Sequence, residues 1–308
     1  QSQWGFLDAL AARAGKFSDD TPSSADALQG GAPVQQGAVT SWVGHFDDRG
    51  SAGAPDSRSG LAGDATGFDL ALGPHEHLGM AMSHARGKLE LAGAPQGGRI
   101  ESYGFGLYAA KRMGGFVADG ALGATRIELT TARAVALTGG IAKGDTHGFG
   151  AGAEAGIGYP LFLGSVRVEP RIGVGYIRNY QDAYGESGAG LANLAIDAAD
   201  TSRLRGTASV NVKNSMALSN GGMLATELEL GLEHQFMEPT PEVRESFSAA
   251  PMSSFTATGT RQARDAMLVG AAFRRDLSPG VALFGKSDLA FAARHTDATV
   301  KLGIQLSW

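Results

Sequence analysis

Few residue groupings in this 308-residue chain have the types and spacing for chemistry. Gly280-Val281-Ala282-Leu283-Phe284-Gly285-Lys286-Ser287 satisfies the G-x-x-x-x-G-K-S spacing of a phosphate-binding loop. That chemistry needs a strand before the first glycine, a loop of free N–H groups and a helix after the lysine. Here Asp276-Leu277-Ser278-Pro279 reads as a turn, the four loop positions are apolar, and only 21 residues follow Ser287. Nucleotide binding is therefore rejected, and Lys286 is expected to point into an interior space. His75-x-His77 would set two imidazoles on one strand face, as a metal pair requires. It stands beside Pro74 with no carboxylate clearly placed, so a solvated turn is expected. Gly185-Glu186-Ser187-Gly188-Ala189 misses the G-x-S-x-G nucleophile pattern at its last position. A Ser–His–Asp site assembled from loops is the one catalytic alternative left. With no Cys there is no disulfide, thiolate metal site or cysteine nucleophile. The expectation is a protein that is not an enzyme, with no catalytic residue, metal or cofactor.

The remaining candidates are charged residues, and their meaning comes from their phase. From about residue 37 onward the chain alternates with period two. Val300, Leu302, Ile304, Leu306 and Trp308 fall on one face, while Lys301 and Gln305 fall on the other. Val166, Val168, Ile172 and Val174 alternate with Arg167, Glu169 and Arg171. Leu224, Leu228, Leu230 and Leu232 alternate with Glu227, Glu229 and Glu233. Leu204, Ala208, Val210 and Val212 alternate with Arg203, Arg205 and Lys213. Twelve such segments are read near 37–47, 65–73, 77–89, 99–111, 115–129, 147–159, 165–179, 202–214, 223–236, 265–276, 280–293 and 297–308. The strand at 280–293 is the least clean, because Phe284 falls with Lys286 and Asp288.

A soluble sandwich also alternates, but three features weigh against it. One face holds Gly, Ala, Ser and charges while the other is aliphatic and aromatic. The strands often reach ten residues or more, against about 5–6 in globular sheets. Short and long connections alternate, and the strand number is even. Together these are marks of an outer-membrane β-barrel, apolar outside and polar inside. The fold class expected is all-β: a 12-stranded antiparallel transmembrane β-barrel. In lipid every backbone N–H and C=O must be paired, so such a sheet closes on itself. Twelve strands about 4.8 Å apart and tilted about 40° give a lumen roughly 10 Å wide once inward side chains are subtracted.

Residues 1–36 are the other domain. Residues 4–14 read as a short helix ended by Gly15, and Thr21-Pro22 opens a second over 23–28. A helix about 10–12 Å across fits the lumen. Residues 1–36 are thus expected to form a helix and linker that plug the pore, with a disordered linker as the alternative reading, and residues 37–308 are expected to form the barrel. In the lumen, Glu154, Arg167, Glu169, Arg171, Arg203, Arg205, Glu227, Glu229, Lys286, Asp288, Lys301 and Gln305 are expected to line the pore. They are expected to pair with one another and hydrate the pore, with holding Asp8, Arg13 or Lys16 of the plug helix, or lining the path of an exported chain, as the alternatives. Glycine, 46 of 308 residues, is about twice its usual share of roughly 7 %, consistent with close backbone contacts.

Composition bounds the partners. A formal charge of -5 argues against nucleic acid. No apolar run approaches the ~20 residues of a membrane helix. No charged-then-apolar segment opens the chain, so Gln1 is expected to be a processing boundary.

The segments carry a resemblance. Trp42-Val43-Gly44, Gly67-Phe68-Asp69-Leu70-Ala71-Leu72-Gly73, Gly104-Phe105-Gly106-Leu107-Tyr108-Ala109-Ala110, Ala153–Pro160, Val168-Glu169-Pro170-Arg171, Glu229–Phe236 and Met267–Ala272 follow one another in order. The pattern resembles the translocator β-domain of Gram-negative autotransporters, the type V secretion barrel, over about residues 38–308. The resemblance implies a bacterial outer-membrane location and a helix through the pore. It also implies an amino-terminal passenger, absent from this chain, exported through or alongside the barrel. Membrane lipid and the outer-membrane barrel assembly machinery are the other implied partners, the latter recognising a terminal aromatic. Trp308 would be that signal, where the family more often ends in Phe. A monomer is expected. The alternative reading is an outer-membrane channel or porin with no passenger.

Overall fold

Twelve long strands pair in chain order, each antiparallel to the next. They are β1 (Val39–Ser51), β2 (Arg58–Gly73), β3 (Glu76–Leu91), β4 (Gln96–Met113), β5 (Phe116–Val135) and β6 (Gly140–Gly158). They continue as β8 (Val166–Gln181), β11 (Ala199–Ala217), β12 (Met223–Gln235), β15 (Asp265–Ser278), β16 (Val281–Ala292) and β17 (His295–Ser307). The last strand pairs with the first, from Thr40 opposite Ser307 to Gly50 opposite Asp297, so the sheet is a closed barrel. The structure is a computed structural model. It describes residues 6, 7, 9–11, 39–51, 58–73, 75–91, 96–136, 138–219, 222–237, 240, 242–259, 263–278, 280–293 and 295–307.

Alternation decides the facing. On β3, Leu78, Met80 and Met82 are exposed while His77, Ala81 and Ala85 are buried. On β12, Leu228, Leu230 and Leu232 are all exposed, and on β17 so are Leu302, Ile304 and Leu306. A band of exposed aliphatic and aromatic side chains therefore surrounds a polar interior, the reverse of a water-soluble protein. No described helix is long and apolar enough to cross a membrane; the strands do the crossing.

The twelve expected strands are all present, but several run further than their hydrophobic pattern. β2 starts at Arg58 rather than 65, and β6 at Gly140 rather than 147. Both extensions lie on the side of the long connections. Beyond the lipid neither face has to be apolar, so ladder hydrogen bonds continue a strand that the alternation no longer marks. The tight turns lie at the opposite end, with left-handed glycines at Gly114 (φ 61°) and Gly280 (φ 77°). β7 (Leu161–Leu163) hairpins onto β8 at that same end.

Two of the long connections contain a small sheet. β9 (Tyr184–Gly185), β10 (Leu194–Ile196), β13 (Glu242–Phe247) and β14 (Ala250–Thr258) pair in the order β14-β13-β10-β9. This sheet is clasped to the barrel. Ser187 and Lys143 exchange backbone hydrogen bonds at 2.8 Å each. Arg133 at the end of β5 donates through Nε to Glu186 at 3.1 Å and through Nη2 to the Ala192 carbonyl at 3.2 Å. The near-miss nucleophile pattern at 185–189 is thus a loop clasp, with Gly188 at φ 97° supplying a turn.

Candidate functional site

The lumen is the site, and it has two unlike sides. One is a wall of small residues. In register across five strands stand Gly67, Ala81, Gly106, Gly123 and Gly152, followed by Ile177 on β8. Against this wall lie the described residues of the amino-terminal helical stretch. Phe6 and Ala11 are buried, with Leu7 0 % and Leu10 1 % exposed. They form one cluster with Trp42, Ala65, Ala81, Tyr108, Ala110, Ala121 and Ile177, with Phe46 packed against it. The glycines make room for the helix. A Cβ on Gly152 would stand 2.6 Å from Leu7 Cδ1, and one on Gly123 3.1 Å from Leu7 Cδ2. Helical character is described at residues 6, 7 and 9–11. The rest of the expected helix, the one at 23–28, Asp8, Arg13, Lys16 and the terminal Trp308 lie outside the described residues.

Beneath the helix runs a hydrogen-bonded chain. Trp42 Nε1 donates to the Tyr108 hydroxyl at 3.0 Å, and Tyr108 donates to Asp69 Oδ1. Tyr108 reaches β2 from β4 by crossing β3 at Gly79, where any side chain would collide with the ring.

The other side is charged. Arg205 on β11 bridges Glu154 on β6 at 2.8 Å and Glu233 on β12 at 3.4 Å. Arg171 pairs with Asp119 of β5 at 2.5 Å, and Arg167 pairs with Glu169. Lys213 stands 3.7 Å from Glu227. Lys286 lies 2.9 Å from Asp288 and 3.9 Å from Glu229. Gln305, 1 % exposed, accepts from Arg274 Nη1 at 3.4 Å, while Arg274 Nε donates to Asp276 at 3.1 Å. Arg203 and Lys301 are also inward, in register with Ile177 and with Lys286 respectively.

Of the sequence candidates, Glu154, Arg205, Arg167, Glu169, Arg171, Glu227, Glu229, Lys286 and Asp288 are brought into ion pairs. Asp119, Asp69, Trp42, Tyr108 and Arg274 were not singled out for a role by sequence. Asp69 and Asp119 carried a signal, since each is an acid on an otherwise small-residue inward face. Trp42 and Tyr108 did not, because an aromatic in such a strand reads as lipid-facing.

Two expectations are corrected. The lumen is not uniformly polar: Trp42, Phe46, Tyr108, Ile177 and Phe284 all project inward. Phe284 lies over Gly303 and Gly44, the inward glycines of the closing strands, with its ring 3.4 Å from a Cβ on Gly44. That contact explains why the 280–293 pattern was unclean. His77 is not on a solvated turn either. It is 5 % exposed and inward on β3, while His75 holds the turn through its carbonyl, which accepts from Arg112 N at 3.0 Å. No metal-competent cluster of His, Asp or Glu occurs among the described residues.

Comparison with known proteins agrees with this geometry. The family model described as the autotransporter β-domain matches residues 38–288. A Pseudomonas putida protein, described as an uncharacterized protein in the trpE-trpG intergenic region, is 27 % identical over 245 residues. That alignment takes in 76 % of this chain and 39 % of the relative, so the chain spans about two-fifths of the relative's length. Among solved structures, the translocator domain of the autotransporter NalP from Neisseria meningitidis superposes with a TM-score of 0.75 at 14 % identity. It covers 100 % of this chain and 95 % of that one. The β domain of the Bordetella autotransporter BrkA gives 0.65 at 18 % identity, covering 88 % and 100 %. The transport unit of AIDA-I from Escherichia coli gives 0.60 at 11 % identity, covering 96 % and 99 %. A closed twelve-stranded barrel with an apolar outer band and a family match over most of its length leads to one identification: this chain belongs to the autotransporter β-domain family, the translocator barrels of the bacterial outer membrane.

Proposed function

We propose that the barrel anchors in the outer membrane and lets one passenger polypeptide, joined to its amino terminus, reach the cell surface. The observation that supports this most is the position of Phe6, Leu7, Leu10 and Ala11. They lie inside the barrel, so a chain continuing from them is already within the passage. The charged side offers a wet track on which a polypeptide finds hydrogen-bonding groups. The glycine side offers room for one helix. After export the helix stays and fills the lumen, which disfavours the alternative of an open channel. In this reading the inward charges hydrate the pore and hold its wall, and the barrel carries out no chemical step. It works as a monomer inserted by the barrel assembly machinery, with Trp308 as part of the signal.

The test is direct. An epitope and a folded reporter are placed ahead of Gln1 behind a signal peptide in a Gram-negative host. The expected result is reporter accessible to antibody and to added protease on intact cells. A folded barrel with the reporter retained inside would overturn the reading.

A further inference from the structure

Just above the apolar band, the outward face of β3, β4 and β5 carries an excess of cations. In register from the lipid outward, the first row holds His84, Tyr103 and Arg126. The second holds Arg86, Glu101 and Glu128, and the third Lys88, Arg99 and Thr130. The apolar residues Leu78, Met80, Met82, Phe105, Leu107 and Leu122 lie below them on the same strands and the same face. His84 stacks on Tyr103 with ring centroids 4.8 Å apart, an aromatic pair at the membrane boundary.

Elsewhere at this height the outward charges close on one another. His45 meets Asp64 at 2.9 Å, His234 meets Asp265 at 2.7 Å, and Arg178 pairs with Asp200. Lys88 and Arg99 differ. They are directly opposite, both exposed, and neither makes an ion pair with a described residue. Opposed residues of an antiparallel pair have Cβ atoms only about 4.5–5.5 Å apart, and like charges there repel. Two flanking acids are engaged: Glu101 accepts from Arg86 at 3.0 Å and from Tyr103 at 2.9 Å, and Glu128 lies 3.6 Å from Arg126, while Glu90 follows Lys88 one row further out, in register with Arg58 of β2.

We propose that Lys88 and Arg99, flanked by Arg86, form a binding site for the phosphate groups of an anionic glycolipid headgroup in the outer leaflet. Three arguments select this occupant. Opposed cations with no counter-ion among the described residues are satisfied by a ligand with at least two negative oxygens, and guanidinium and ammonium groups both suit phosphate. The third row stands about 15 Å along the membrane normal above Met82, for strands rising about 3.4 Å per residue at about 40° tilt. Side chains of that length reach back into the headgroup layer. The patch also faces away from the lumen, so a translocating chain does not meet it. The inference rests on the outer-membrane placement of the barrel and not on the passenger.

The full chain, folded in detergent, would be exposed to bis-phosphorylated lipid A, to its dephosphorylated form, and to inorganic phosphate. Retained lipid is read by native mass spectrometry. The expected result is retention of the bis-phosphorylated lipid only. The double variant Lys88→Gln/Arg99→Gln is expected to bind it at least about tenfold more weakly. Arg178→Gln, on β8 three strands beyond β4, should bind as wild type. Folding of each variant is checked by resistance of the unheated barrel to dodecyl sulfate, and the single variants Lys88→Gln and Arg99→Gln stand in where the double variant does not fold. Equal binding of the dephosphorylated lipid, undiminished binding by these variants, or an equal loss in Arg178→Gln would overturn the proposal. Displacement of the lipid by millimolar phosphate would likewise show a free-phosphate site and overturn the lipid assignment.

Discussion

Tyr108 of β4 sets its hydroxyl against the carboxylate of Asp69 two strands away, passing over Gly79 to do so. The bond ties three neighbouring strands from inside, and Trp42 of β1 donates to the same hydroxyl. Removing the hydroxyl with Tyr108→Phe takes away both hydrogen bonds, of which the one to the buried carboxylate is worth about 1.5–3 kcal/mol. The expected outcome is a lower unfolding temperature of the detergent-folded barrel. Gly79→Ala pushes the ring aside and should lower it as well. The double variant should lose less than the sum, because both changes break one contact. Strictly additive losses would show that Gly79 acts apart from Tyr108.

Deleting residues 1–36 is expected to raise single-channel conductance in planar bilayers several-fold. Leu7→Asp/Leu10→Asp should do the same without shortening the chain, because both leucines are buried against the small-residue wall. Burying two unpaired carboxylates there is unfavourable by several kcal/mol. Conductance equal to wild type in both proteins would remove the plug.

Opposite faces of β17 should respond in opposite ways. Leu302 is exposed on the lipid side, so Leu302→Arg is expected to lower folding yield, with a penalty of about 2–4 kcal/mol near mid-depth. Gln305 faces Arg274, so Gln305→Glu should fold normally and gain an ion pair. An inward position tolerates a charge, and the Arg274 guanidinium beside Gln305 favours an anion there. Similar folding yields for the two variants would contradict the facing.

The loop sheet carries a pH dependence. Burial, and then the nearby Glu186 carboxylate, push the Glu245 carboxyl above its ordinary value. The protonated form is therefore the one favoured on folding. Its contribution to stability is fully present below the unfolded pKa of about 4.3 and is lost as pH rises through the raised folded value. Glu245→Gln should slow amide exchange in β10 and β13 at pH 7 and give no such gain at pH 4. Unchanged exchange at pH 7 would refute it.

Arg133→Ala should release that sheet from the barrel. Glu186 accepts from Arg133 Nε and from Leu194 N at 2.9 Å. Losing its cation leaves a mostly buried carboxylate, a change of about 3–5 kcal/mol in comparable pairs. Faster proteolysis between residues 182 and 198, with the barrel intact, is the expected readout.

Legibility in the sequence followed lipid contact. Wherever one face touches hydrocarbon, the alternation is forced, and Leu228, Leu230 and Leu232 marked their strand and its inward glutamates together. Where lipid ends, the constraint ends. The first residues of β2 and β6, and the loop sheet of β9, β10, β13 and β14, are held by backbone pairing and by contacts such as Arg133–Glu186, which leave no periodic trace. The same limit hid Tyr108 and Trp42. Their inward placement depends on the Gly79 gap and on the Asp69 acceptor two strands away, and no local pattern records either.

The seam between β1 and β17 joins Val43 to Ile304, and it makes the order of events matter. Closing a loop of about 260 residues carries an entropic penalty near 5 kcal/mol beyond a constant, so this pairing gains least from local contacts. Until it forms, the wall has a slit, and bulky cargo can lie across it. Once it forms, entry is along the axis alone, past a helix that already occupies the bore. On the export reading proposed above, how wide a cargo can be is then set by how long the seam stays open, a matter of timing rather than of diameter.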